Sequence, residues 1–117
     1  MKKTFLLLSF VFVLIACESA EKSTAPESIT TIYLIRHAEK DRSDKGNKNP
    51  ELTDQGKKRA ERWAEVLGLS KIDAVYSTNY QRTLQTAAPT ATSNSLEIQI
   101  YEPNNLDIDS LATLHQG

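Results

Sequence analysis

The sequence is poor in the residues that staple, ligate or cradle. Its 117 residues hold one cysteine, two histidines, one tryptophan and four glycines. A lone cysteine, Cys17, excludes an intramolecular disulfide. With two histidines, no metal-ligand cluster is visible. Four glycines do not easily build a phosphate-cradling loop, and no Gly-rich stretch runs into Lys-Ser or Lys-Thr. No cofactor is therefore expected. Charge of one sign is lacking too: 14 Lys and Arg stand against 15 Asp and Glu, a net charge of −1. That balance argues against a nucleic-acid partner. Long hydrophobic runs are absent: the longest, Phe5 to Ala16, has 12 residues, against roughly 20 for a bilayer-spanning helix. No internal repeat is present, and the length allows one domain at most.

What is there begins at the N-terminus. Lys2 and Lys3 precede the apolar run, a positive n-region followed by an h-region. The run ends in Leu14-Ile15-Ala16-Cys17, which resembles the lipobox of bacterial lipoproteins. The resemblance implies a signal peptide over 1–16 and lipidation at Cys17, with the mature chain anchored at the bacterial cell envelope, facing the periplasm or exterior. Loss of Lys2 and Lys3 takes the net charge to −3, so membrane contact is expected through the anchor and not through a basic surface. Residues 17–28 are polar, contain a proline and have no apolar period, which reads as a flexible tether. The folded part is expected over 29–117.

Ile32-Tyr33-Leu34-Ile35 is continuously apolar, as a parallel strand covered on both faces would be. A charged loop runs from Arg36 to Leu52. Thr53 can cap a helix whose apolar face is Ala60, Trp63, Ala64 and Leu67, and Gly68 suits its end. A second strand is expected over Ile72–Tyr76 and a second helix from near Tyr80, with a kink or stop at Pro89. Leu96, Ile98 and Ile100 alternate with polar residues as a half-exposed strand. A loop over Tyr101–Asn105 leads to a last helix, Asp107 near its start, with Ile108, Leu111, Ala112 and a partly buried His115 on one face. The order β-α-β-α-β-α points to an α/β three-layer sandwich with a mostly parallel sheet. The last helix has no strand to deliver the chain into, so the domain is expected to be incomplete at its C-terminus.

The strand at 32–35 ends on Arg36-His37, and strand C-terminal ends are where open α/β sheets place ligands. Attack on a phosphate dianion calls for an uncharged nucleophile, and imidazole meets that need. Guanidinium groups are the best-shaped donors for the non-bridging oxygens. Arg36 lies beside His37, and Arg82, in the first helical turn after the second strand, would converge on them if the two strands are neighbours.

These residues carry a resemblance. Ile35-Arg36-His37-Ala38-Glu39 is similar to the Arg-His-Gly signature of the histidine phosphatase superfamily, the phosphoglycerate-mutase-like fold. Leu52-Thr53-Asp54-Gln55-Gly56 resembles that family's Leu-Thr-x-x-Gly helix start. Tyr76-Ser77-Thr78-Asn79-Tyr80-Gln81-Arg82-Thr83-Leu84-Gln85-Thr86-Ala87 resembles its second-arginine segment. The resemblance implies a phospho-accepting His37, Arg36 and Arg82 as phosphate ligands, a small phosphorylated substrate and no cofactor. Ala38 stands where the family has glycine. Glu102 lies in a region where some members place the proton donor. The family's second active-site histidine follows a later strand, and His115 is the sole other histidine here.

Three readings follow: a lipid-anchored phosphomonoester hydrolase, a truncated or non-catalytic phosphate-binding remnant of one, and a mutase, which suits the cell exterior least. In the family, substrate choice lies in loops and insertions, so the substrate is not legible.

Overall fold

The computed structural model describes residues 28–116. The expected signal peptide, Cys17 and nearly all of the tether lie outside them. Five elements follow in order: α1 (Asp54–Leu67), β1 (Val75–Ser77), α2 (Gln81–Ser93), β2 (Ile98–Ile100) and α3 (Ile108–Leu114). β1 and β2 pair in parallel, Val75 opposite Ile98 and Ser77 opposite Ile100, with α2 as the crossover packed on both strands and on α1. The architecture is α/β with a parallel sheet, as the element order predicts.

The helix ends follow local chemistry. Thr53 caps α1: its hydroxyl accepts the Gly56 N–H at 3.1 Å and donates to the Glu39 carbonyl at 3.2 Å. Gly68 follows the last turn, its N–H bonded to the Glu65 carbonyl. Asp107 caps α3 by accepting the amides of Asp109 and Ser110. Gly56 is required by a close approach. A Cβ there would overlap the Glu39 carbonyl oxygen, which is backbone and cannot swing away. The turn of α1 that begins at Thr53 thus lies directly against the chain just after His37. Ala38, Leu52 and Ala60 form the buried cluster at this junction. Leu67 and Ala91 are also buried, whereas Trp63 and Ala64, the other expected core positions of α1, are half-buried.

Three expectations are corrected, and of the kink or stop expected at Pro89 the stop does not occur. Residues 32–35 form no strand, and among the described residues no backbone–backbone hydrogen bond involves residues 28–38. A strand exists only through its ladder, and the side facing β1 opens instead onto a cavity of about 560 Å³. Ile32, Tyr33, Leu34 and Ile35 are accordingly 38–72% exposed. The second strand is shorter than expected and shifted to Val75–Ser77, because the ladder to the three-residue β2 starts at Val75. Pro89 neither ends nor bounds α2, which runs four residues past it to Ser93. The packing of α2 on α1 and both strands outweighs the roughly 3 kcal/mol an interior proline costs. His115 is an exposed C-cap residue, not part of a buried face, and its Nε2 lies 2.9 Å from the Tyr76 hydroxyl.

Candidate active site

The site is built where the segment carrying Arg36 and His37 meets the N-terminal turns of α2. His37 is half-buried, and its Nδ1 lies 2.7 Å from the Ala38 carbonyl oxygen. A carbonyl oxygen only accepts, so Nδ1 carries the proton. In the neutral ring Nε2 then keeps its lone pair. Ala38 is 4% exposed, and its N–H donates to Thr86 Oγ1 at 3.0 Å. The Thr86 hydroxyl in turn donates to the Arg82 carbonyl at 2.6 Å. One side chain of α2 thereby joins the histidine segment to the helical turn that carries the second arginine.

Arg82 projects from that first turn. Its guanidinium carbon sits 4.3 Å from the centre of the Tyr80 ring, a cation–π contact that holds the fork in place. One guanidinium nitrogen, Nη1, is buried with no hydrogen-bond partner. A buried donor left empty costs about 1–3 kcal/mol, more when charged, so this atom fits an anionic ligand. Arg36 is exposed. Among the described residues the ion pairs are Glu39–Arg59 and Lys71–Asp73, so neither Arg36 nor Arg82 has its charge neutralised by a carboxylate there. Two guanidinium side chains and an imidazole are a composition suited to a phosphate dianion.

The surrounding loop is laced to the same helix. The Leu52 N–H donates to Gln85 Oε1 at 2.7 Å, and the Gln81 N–H donates to Asn49 Oδ1 at 2.9 Å. The loop closes on itself through Asp41 N–H to the Glu51 carbonyl at 2.8 Å and an antiparallel bridge between Lys40 and Leu52. The Asp41 carboxyl accepts the Ser43 amide at 2.8 Å, which holds it below the ordinary carboxylate range. Glu39 turns away from the histidine: one oxygen pairs with Arg59 of α1, the other is buried without a partner. Glu102 is exposed in the turn after β2, where its carbonyl accepts the Asn105 N–H.

Of the residues singled out in the sequence, His37 and Arg82 are tied to a common network, Arg36 is adjacent in chain but solvent-exposed, and Glu102 lies on the exposed turn beyond β2. The roles of Thr86, Gln85 and Tyr80 are not read from the sequence. All three fall in the second-arginine segment, which marks the stretch without marking these residues.

The comparisons with known proteins bear on the family. Residues 32–103 match the model of the histidine phosphatase superfamily, branch 1. Over 82 residues the chain is 34% identical to phosphoserine phosphatase 1 of Hydrogenobacter thermophilus, covering 67% of this chain and 38% of that enzyme. The structure of mycobacterial hydrolase 1 superposes with a TM-score of 0.50 at 25% identity, over 56% of this chain and 33% of that one. The mycobacterial glucosyl-3-phosphoglycerate phosphatase in complex with inorganic phosphate gives a TM-score of 0.49 at 28% identity, over 56% and 31%. The chain thus spans well under half the length of these relatives. The matched span takes in the Arg36-His37 pair, the Gly56 helix start and Arg82, and the chain belongs to the histidine phosphatase superfamily, branch 1.

Proposed function

We propose that this chain hydrolyses a small phosphomonoester through a phosphohistidine on His37, held at the bacterial cell envelope by acyl chains on Cys17. The observation that carries the reading is the 2.7 Å bond from His37 Nδ1 to the Ala38 carbonyl. It fixes the tautomer that leaves Nε2 as the nucleophile. In this reading Nε2 attacks phosphorus as the ester P–O bond breaks. Arg36 and the free Nη1 of Arg82 take the non-bridging oxygens, whose charge they stabilise in the transition state. The departing alkoxide needs a proton, and Glu102 is the carboxyl assigned to it. Water then cleaves the phosphohistidine to release phosphate. A metabolite-sized substrate is in keeping with the phosphoserine phosphatase among the relatives, and the apolar leader ending at Cys17 supports the anchor.

Aryl phosphate hydrolysis by the full chain, with acid-labile phosphate trapped on His37 and both lost in His37→Ala, is the expected result. Turnover that survives His37→Ala would sink the phosphohistidine route. For the anchor, Cys17→Ser is expected to move the protein from the membrane fraction to the soluble one. A second reading, phosphate binding without turnover, is favoured by His115, whose Nε2 is taken up by the Tyr76 hydroxyl. Phosphate binding that requires Arg82, together with hydrolysis at background, would establish it.

A further inference from the structure

We propose that the Thr86 hydroxyl is a positioning group that sets the His37 imidazole against Arg82, an inference that rests on His37 being the phosphate acceptor. Residues 28–38 make no backbone–backbone hydrogen bond among the described residues, so no sheet ladder fixes where His37 stands. The Ala38 amide finds a side chain instead, Thr86 Oγ1 at 3.0 Å. Thr86 is buried, 6% exposed, and its one hydroxyl proton is committed to the Arg82 carbonyl at 2.6 Å. With that proton directed back along α2, a lone pair faces Ala38. On the far side of Ala38, its carbonyl accepts from His37 Nδ1 at 2.7 Å.

A continuous chain therefore runs from the imidazole through Ala38 and Thr86 to the backbone of Arg82. Its two ends are the nucleophile and a phosphate ligand. A threonine hydroxyl bonding back to the carbonyl four residues earlier is an ordinary helix feature of little benefit to the helix. Here it presets the acceptor that a second segment needs. Valine has the same shape without the hydroxyl; it would leave the Ala38 N–H buried and unpaired and would free the histidine segment from α2. Serine keeps the bond and loses only a methyl.

The test uses the whole chain in detergent as wild type, Thr86→Val and Thr86→Ser. Phosphoramidate is the probe: the histidine nitrogen displaces ammonia from phosphorus, and mass spectrometry gives the rate at His37 relative to His115. The expected result is a His37-to-His115 rate ratio about tenfold lower in Thr86→Val and within about twofold of wild type in Thr86→Ser. In parallel, nitrogen-15 spectra should show His37 protonated on Nδ1 in wild type and Thr86→Ser, with that preference lost in Thr86→Val. Faster amide exchange at Ala38 in Thr86→Val, with Ala60 still protected, separates lost positioning from lost fold.

An unchanged ratio and tautomer in Thr86→Val would overturn the proposal. So would a reduced ratio in a folded Thr86→Ser, which decides the matter even if the valine variant unfolds. If wild-type His37 reacts no faster than His115, the phosphohistidine reading fails. The tautomer and Ala38 exchange then still decide whether Thr86 holds the ring.

Discussion

At the scale of single residues, the site depends on one donor with nowhere to go. Arg82 Nη1 is buried without a partner while its guanidinium rests on the Tyr80 ring. Arg82→Ala is expected to weaken inorganic phosphate binding by about 1.5–3 kcal/mol, the worth of a hydrogen bond to a charged group, read by calorimetric titration. Arg82→Lys should recover only part of this, because an ammonium lacks the planar fork. Equal binding by all three proteins would remove Arg82 from the site. The segments that carry His37 and Arg82 are legible as family motifs in the sequence because their residues sit at fixed offsets along the chain. The role of Thr86 is not, since a threonine one turn beyond an arginine reads as an ordinary polar helical position. Its meaning arises only when Ala38, 48 residues earlier, arrives beside it.

Among elements, α1 carries the sharpest sequence requirement. Helix propensity alone favours Ala over Gly by about 1 kcal/mol, yet at position 56 a Cβ meets the fixed Glu39 carbonyl. Overpacking against an immovable atom costs about 1–3 kcal/mol, so Gly56→Ala is expected to destabilise the fold despite its better propensity. Thr53→Ala should cost about 1 kcal/mol through the lost cap. Chemical denaturation measures both, and a stabilised Gly56→Ala would contradict the close approach. α3 offers a pH test. The Ser110 hydroxyl and amide, followed by the Asp109 amide, hold the Asp107 carboxyl below its ordinary value of 3.8. The folded carboxylate is favoured, so the cap is at full strength above that value and is lost as the pH falls below it. The protection of the Ser110 amide, its exchange taken relative to the unstructured rate at each pH, should fall in that acid range and stay level in Asp107→Asn. Helix ends such as Thr53, Gly68 and Asp107 could be read from sequence because capping is settled within four residues. The strand expected at 32–35 could not, since a ladder is decided by partners far along the chain.

The whole molecule presents one feature that its parts do not. Ile32, Tyr33, Leu34 and Ile35 lie in succession at 38%, 50%, 72% and 38% exposure, along a cavity of about 560 Å³ that β1 borders on its other side. An unpaired apolar segment of this kind templates association. Sedimentation is expected to show concentration-dependent self-association, shifted toward monomer by Leu34→Lys. A cooperative melt of a strict monomer at every concentration would refute this. The loop from Asp41 to Glu51 has the opposite character, because its two ends are bonded to each other. Such a loop behaves like a socket fitting: what lies between the ends can be exchanged without disturbing what they attach to. Doubling its length would cost only about 0.6 kcal/mol in closure entropy, and neither His37 nor α1 would need to move. A lineage carrying this domain could therefore change what its loop touches by insertion at residues 42–48 while His37 and Arg82 stay where they are.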